Sequence, residues 1–212
     1  AAIDTRPMRV VGLMSGTSLD GVDAVLAEFS PALSVVCHLH RPFATALRNE
    51  LLALNRQGDN ELHRAALAAN ALAEAYADAT ASLLDACGVV AADIDVLGAH
   101  GQTVRHRPGE FDGTGYTLQL LNGALLAERS GIDVVCDLRS RDVAAGGQGA
   151  PLVPAFHAAV FARQDGEALA VLNLGGIANL TVLSPGGRIA GFDCGPANAL
   201  MDSWANSTWA AP

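Results

Sequence analysis

An α/β fold, a mixed sheet flanked by helices, is what the sequence predicts, and three observations predict it. Residues 8–26 read as strand, tight polar turn, strand, and residues 168–183 repeat the device around Gly175-Gly176. Between them the apolar period lengthens from that of a strand to that of a helix. Two similar hairpins separated by a mostly helical segment suggest two related half-molecules, each offering a turn to one ligand between them. The expected division is a first domain over 1–165 and the opening of a second over 166–212, with Gln164-Asp165-Gly166-Glu167 as linker.

In the first hairpin Val10-Val11 and Val25-Leu26 are the apolar arms. Ser15, Gly16, Thr17, Ser18, Asp20 and Gly21 fill the turn with small, hydroxylated and permissive residues. Such a turn can aim N–H groups and hydroxyls at one point, a nest for an anion and above all for a phosphate chain. It differs from a P-loop, which leads from strand to helix and carries Gly-Lys-Ser/Thr. An ordinary hairpin asks for the same residues, so the stretch alone leaves both readings open. Gly16 is the position at which a left-handed φ is expected, and a branched side chain there would block close approach.

Residues 33–39 continue the strands, giving an antiparallel meander over 9–40. Helical spacing then appears at 46–52, and Asn60 opens a long alanine-rich helix to Cys87. Leu62, Leu67, Leu72, Tyr76, Leu83 and Leu84 form its apolar side and Gly88 its C-cap. Nothing on this helix is chemically unusual, and it reads as scaffold. A buried strand over 94–98 delivers His100-Gly101-Gln102-Thr103 to its carboxyl end, where ligands sit in open α/β sheets. A lone histidine there is as readily a structural hydrogen-bonder, and His106 does not complete a metal site.

A strand over 116–120 ends in Gln119-Leu120-Leu121-Asn122, followed by a helix over 123–130 and a short β-branched run at 132–136. Arg139 and Arg141 come next, flanked by Asp137 and Asp142. They could clamp a carboxylate or transferring phosphate oxygens, or simply pair with those aspartates. The glycine-rich loop 144–150 reads as mobile, and 151–163 as a helix with Pro154 in its first turn. After the second hairpin come a strand over 188–192 and a helix from about Ala197. Asp193 stands at that strand's end before Cys194-Gly195-Pro196; a carboxylate so placed suits a general base, or caps its own turn.

Composition narrows the function classes. Half of the 212 residues are hydrophobic and only 17% are charged, a globular profile. A net charge of −9 with 13 basic residues spread thinly argues against a nucleic-acid surface. No apolar run reaches the roughly 18 residues of a membrane span, so a cytoplasmic location is the default. Cys37, Cys87, Cys136 and Cys194 show no metal or redox spacing and are expected to be reduced, buried hydrophobes.

Four motifs carry a resemblance. Gly12-Leu13-Met14-Ser15-Gly16-Thr17-Ser18-Leu19-Asp20-Gly21-Val22-Asp23, Gly98-Ala99-His100-Gly101-Gln102-Thr103, Asp142-Val143-Ala144-Ala145-Gly146-Gly147-Gln148-Gly149-Ala150-Pro151 and Gly191-Phe192-Asp193-Cys194-Gly195-Pro196 closely resemble the anhydro-N-acetylmuramic acid kinase family. The resemblance covers about residues 9–204. It implies the actin-like ATPase (ribonuclease H-like) fold, shared by actin, hexokinase and Hsp70, with ATP in a cleft between domains. ATP and Mg²⁺ are the cofactors it implies, and a small anhydro amino sugar the substrate, with a homodimer left open.

On that resemblance Ser15, Gly16, Thr17, Ser18, Asp20, Gly21 and Asp23, with Gly175 and Gly176, serve the nucleotide, and Asp20 doubles as the Mg²⁺-side carboxylate. His100, Gln102, Gln119, Asn122 and Arg139 fall to the sugar. Asp193 would activate a water that opens the 1,6-anhydro bond while O6 takes the γ-phosphoryl group, giving N-acetylmuramic acid 6-phosphate in peptidoglycan recycling. The family continues well past Pro212 with its adenine-binding portion, so a truncated chain with an incomplete nucleotide site is expected. The hairpins alone would equally permit another phosphotransferase or polyphosphatase on this scaffold, or an inactive sugar- or nucleotide-binding module.

Overall fold

The computed structural model describes residues 6–30, 32–161 and 167–209. The linker expected at 164–167 therefore lies outside the described residues, Glu167 excepted. Period-two burial builds the first sheet. Strand β1 (Met8–Met14) buries Val11 and Leu13, and β2 (Gly21–Phe29) buries Val22, Ala24 and Leu26. They pair antiparallel with Val11 opposite Leu26, and β3 (Leu33–Pro42) pairs antiparallel with β2 as the outer strand. On the other side of β1, β4 (Val96–Ala99) adds in parallel and β7 (Val134–Val135) follows it in parallel. The order β3-β2-β1-β4-β7, an antiparallel meander continued by parallel strands, is a mixed sheet, as expected.

One face of this sheet is covered by α2 (Glu61–Cys87), after a short α1 (Thr45–Ala53). Leu72, Tyr76, Ala79 and Leu83 recur at helical spacing and are fully buried. Leu62 and Leu67 are 88% and 56% exposed, so the apolar side expected of them does not extend into the helix's first two turns. Gly88 closes α2 in the left-handed region, as read from the sequence. After β4 the chain makes a hairpin of β5 (Gln102–Pro108) and β6 (Gly115–Leu120), then α3 (Gly123–Ser130). Strand β5 was not foreseen, because its inward positions begin with a glutamine.

The cysteine expectation is corrected. Cys37 on β3 and Cys87 at the end of α2 are joined as a disulfide, since packing brings their Cα atoms to 6.4 Å, within bridging range. Cys194 is exposed and Cys136 half-buried.

The chain divides into two compact units. One runs to His106 and resumes over Leu118–Leu138; the other takes Arg107–Thr117 and everything from Arg139 onward. Within the second unit, α4 (Ser140–Ala144) and α5 (Val153–Phe161) precede an antiparallel sheet of order β10-β9-β8, made of β8 (Leu169–Leu174), β9 (Ile177–Leu183) and β10 (Ile189–Pro196), and then α6 (Asn198–Trp209). Helix α5 packs on β9 and β10. Buried His157 on α5 sets its Nδ1 2.9 Å from the Thr181 hydroxyl, and Pro154 occupies the space that a side chain at Gly191 would need. Among the described residues no helix is long and apolar enough to cross a membrane.

Candidate active site

In the first unit the turn between β1 and β2 is closed by Leu19 N–H donating to the Gly16 carbonyl at 3.2 Å. The left-handed residue is Leu19, at φ 56°, and not Gly16 as expected; burial of the leucine side chain, 2% exposed, holds that conformation. At Gly16 an added Cβ would meet only the Ser18 hydroxyl, at 3.6 Å. Position 16 needs no glycine for the fold.

Ser15 faces inward. Its hydroxyl lies 2.9 Å from the Tyr76 hydroxyl of α2 and 3.2 Å from the Gly101 carbonyl, and the residue is 1% exposed. Any ligand contact from Ser15 falls to its backbone. Thr17 is exposed, and Ser18 donates its hydroxyl to Asp20 Oδ1 at 2.9 Å. Among the described residues no acceptor lies on the amides of Thr17 and Ser18. Two unspent N–H groups in one tight turn are the donor set a phosphate needs. Gly21 lets β3 approach closely at Arg41, and Asp23 pairs with His40 at 2.9 Å.

The His100 loop is tied to that turn. His100 N–H donates to the Leu13 carbonyl at 3.0 Å, and Gln102 Nε2 to the Gly16 carbonyl at 3.1 Å. Gly101 has φ 76°, and a Cβ there would sit 2.6 Å from the Leu120 carbonyl, so only glycine fits. Gln119 donates to the Thr103 hydroxyl at 3.2 Å. Asn122 turns out to be the N-cap of α3, accepting from Leu125 N–H at 3.0 Å while donating to Asn70 on α2.

A cavity of about 630 Å³ opens here, lined by Thr17, Gln102 and Thr103 and, from α1 and its end, by Asn49, Asn55 and Arg56. Its volume is that of a small-molecule site. Thr17 from the predicted phosphate turn and Gln102 from the predicted sugar loop thus share one wall. The α1 contributors and Tyr76 were not foreseen. Tyr76 sits in the apolar stripe of α2, where its ring satisfies the pattern and its hydroxyl leaves no signal. Burial pushes its pKa up to about 12, with the Ser15 hydroxyl opposing.

In the second unit Asp193 lies on β10 directly across from Asn179 of β9, which in turn faces Asn173 of β8. Residues opposite one another share a face, so the three form a polar row at the turn end of the sheet. Asn179 Oδ1 is buried with no hydrogen-bond partner among the described residues. A bulge between Asp193 and Gly195, with Gly195 at φ 140°, shifts the register directly after the aspartate. Arg139 is held by donating to the Gly149 carbonyl at 2.6 Å. Burial lowers its pKa and the Asp193 carboxylate opposes that, which puts the two charges within electrostatic reach. The loop at 144–150 is tied back near its end, where Asp142 Oδ2 accepts from Gly149 N–H at 2.7 Å. Gly175 and Gly176 give their carbonyls to the first amides of α6, at 3.0 Å for Asn198 and 3.0 Å for Ala197; only their amides are left for a ligand. Among the described residues no three His, Cys, Asp or Glu side chains cluster as a metal site.

Residues 8–212 match the family model described as anhydro-N-acetylmuramic acid kinase. Proteins of that name are 57% identical in Albidiferax ferrireducens, over 95% of this chain and 59% of the relative, and 62% identical in Variovorax paradoxus, over 92% and 53%. The Bordetella pertussis relative is 62% identical over 92% of this chain and 50% of its own length. The chain spans about half the length of the curated relatives it matches. A solved exopolyphosphatase-like protein superposes with a TM-score of 0.45 at 15% identity, over 95% of this chain and 55% of that one. The chain belongs to the anhydro-N-acetylmuramic acid kinase family.

Proposed function

We propose that the protein is an ATP-dependent sugar kinase that opens the 1,6-anhydro bond of 1,6-anhydro-N-acetylmuramic acid and phosphorylates O6. The observation that carries this is the single cavity walled by Thr17 of the first turn and by Gln102 and Thr103 of the His100 loop. A phosphoryl donor and its acceptor sugar must meet in line, and catalysis of such a transfer is chiefly positioning and charge stabilisation.

In this reading the amides of Thr17 and Ser18, and those of Gly175 and Gly176, hold phosphate oxygens, while His100, Gln102 and Gln119 face the sugar. Asp193 takes a proton from the water that attacks C1. The C1–O6 bond breaks as the water oxygen bonds to C1, O6 takes the γ-phosphoryl group, and ADP leaves. Arg139 supplies positive charge beside that carboxylate. Asp20 is the carboxylate of the first turn that would hold Mg²⁺, together with phosphate oxygens and waters, as this ion prefers. When bound, Mg²⁺ neutralises charge on the phosphates.

Asp193→Asn in the full-length protein tests the assignment, because it preserves shape and removes the proton acceptor. General-base catalysis contributes about 10²–10⁴-fold, so kcat is expected to fall by that much while calorimetric binding of sugar and ATP survives. Near-normal turnover would remove Asp193 from the chemistry. A loss of both bindings together, with a lowered Tm, would make it structural.

A further inference from the structure

One side chain touches both halves of the first-unit site. Gln102 opens β5 and is 1% exposed. Its Nε2 holds the Gly16 carbonyl at 3.1 Å across 86 residues of chain. Its Oε1 is buried and has no hydrogen-bond partner among the described residues. A buried amide satisfied at one end only is uncommon, because the idle carbonyl has left water without replacement. The same residue lines the cavity beside Thr17 and Thr103.

We infer that Gln102 is a positioning residue that couples the two ligands: a hydrogen-bond donor of the sugar, a hydroxyl or the acetamido N–H, engages Oε1, and the other end of the amide transmits this to Gly16. The inference deepens the reading of this cavity as the sugar site and rests on it. Oε1 is sealed from solvent, so a donor reaches it only when the amide or the turn above it moves. The amide is planar, so its nitrogen moves with its oxygen and carries the Gly16 carbonyl. That carbonyl also accepts from Leu19 and closes the turn, so its displacement re-aims the Thr17 and Ser18 amides. By linkage, bound phosphate must change sugar affinity by the same factor that sugar changes phosphate affinity.

The test is calorimetric titration of 1,6-anhydro-N-acetylmuramic acid and of a non-hydrolysable ATP analogue, each alone and with the other saturating, in the full-length protein and in Gln102→Met. Methionine keeps the volume and has neither amide group. In the unaltered protein each ligand is expected to tighten the other by a factor in the range of about 5–150, and in the variant that factor falls to about 1 with both ligands still bound. An unchanged factor in the folded variant overturns the inference. A second measurement needs no variant: sugar alone must alter amide hydrogen exchange at residues 16–18, and unaltered exchange with sugar bound overturns it too. Failure of the sugar to bind the unaltered protein defeats the functional reading itself, and the inference with it, whereas bound sugar without coupling defeats the inference alone.

Discussion

The two glycine-bearing turns read alike in the sequence and are held in place by different means. The first, between β1 and β2, is fastened by side chains from distant parts of the chain, Tyr76 on α2 and Gln102 on β5, while the Gly101 carbonyl accepts from Ser15. The second, Gly175-Gly176, is fastened by its own neighbourhood, its carbonyls taking the first amides of α6 and Asn198 donating to Leu174 at 2.8 Å. Buried, long-range ties cost more to cut than exposed local ones, because a severed buried group is left without water. The lesson is that the same turn composition can be rigidified by the tertiary core or by a helix end, and only the former makes the turn depend on the whole domain.

The largest effect on that contrast is expected from Gly101→Ala. The added Cβ meets the Leu120 carbonyl at 2.6 Å on a backbone at φ 76°, and strain of this kind costs about 1–3 kcal/mol. Urea denaturation should show the loss, and a stable variant would mean that the loop is not braced as described. Tyr76→Phe comes next. It removes one buried hydrogen bond and leaves Ser15 its bond to Gly101, so a loss of about 0.5–1.5 kcal/mol is expected.

The same tyrosine gives a pH dependence. Its folded pKa of about 12 lies above the unfolded value near 10, so its contribution is intact below about pH 10 and is lost as pH rises towards 12. The sequence contains no lysine, so few other side chains titrate in that window. Stability should fall with pH above about 10 more steeply in the unaltered protein than in Tyr76→Phe; equal slopes would place the hydroxyl outside the core.

Gly16→Val is expected to have the smallest effect on stability, within about 0.5 kcal/mol, because no left-handed backbone and no close neighbour forbid the side chain. Its effect should appear in ATP affinity, weakened roughly tenfold, about 1.4 kcal/mol, where the branched side chain obstructs the turn's amides. Unchanged affinity would separate this turn from the phosphates.

The fold was largely legible because burial imposes period. Val11 and Leu13 alternate with half-buried neighbours, Leu72, Tyr76 and Leu83 recur at helical spacing, and Gly88 caps α2. What escaped was set by contacts between distant residues. Strand β5 hid behind Gln102 at an inward position, the Cys37–Cys87 pair has no spacing signature, and the Tyr76 hydroxyl is invisible inside an apolar stripe. Residue chemistry pointed to the first turn and to Asp193 without choosing between capping and catalysis; the family motifs supplied the roles. Asn179, opposite Asp193, gave no signal because an asparagine in a strand next to a glycine turn is ordinary.

In the proposed reaction phosphoryl transfer to O6 is joined to water attack at C1. The measurement that meets it most directly is mass spectrometry of the products when the full-length protein acts on 1,6-anhydro-N-acetylmuramic acid and ATP in ¹⁸O-labelled water. The account expects N-acetylmuramic acid 6-phosphate with label in the sugar, none in the phosphate oxygens, and no labelled inorganic phosphate. Label appearing in inorganic phosphate, with the anhydro sugar recovered intact, would contradict it and mark the protein as a phosphohydrolase.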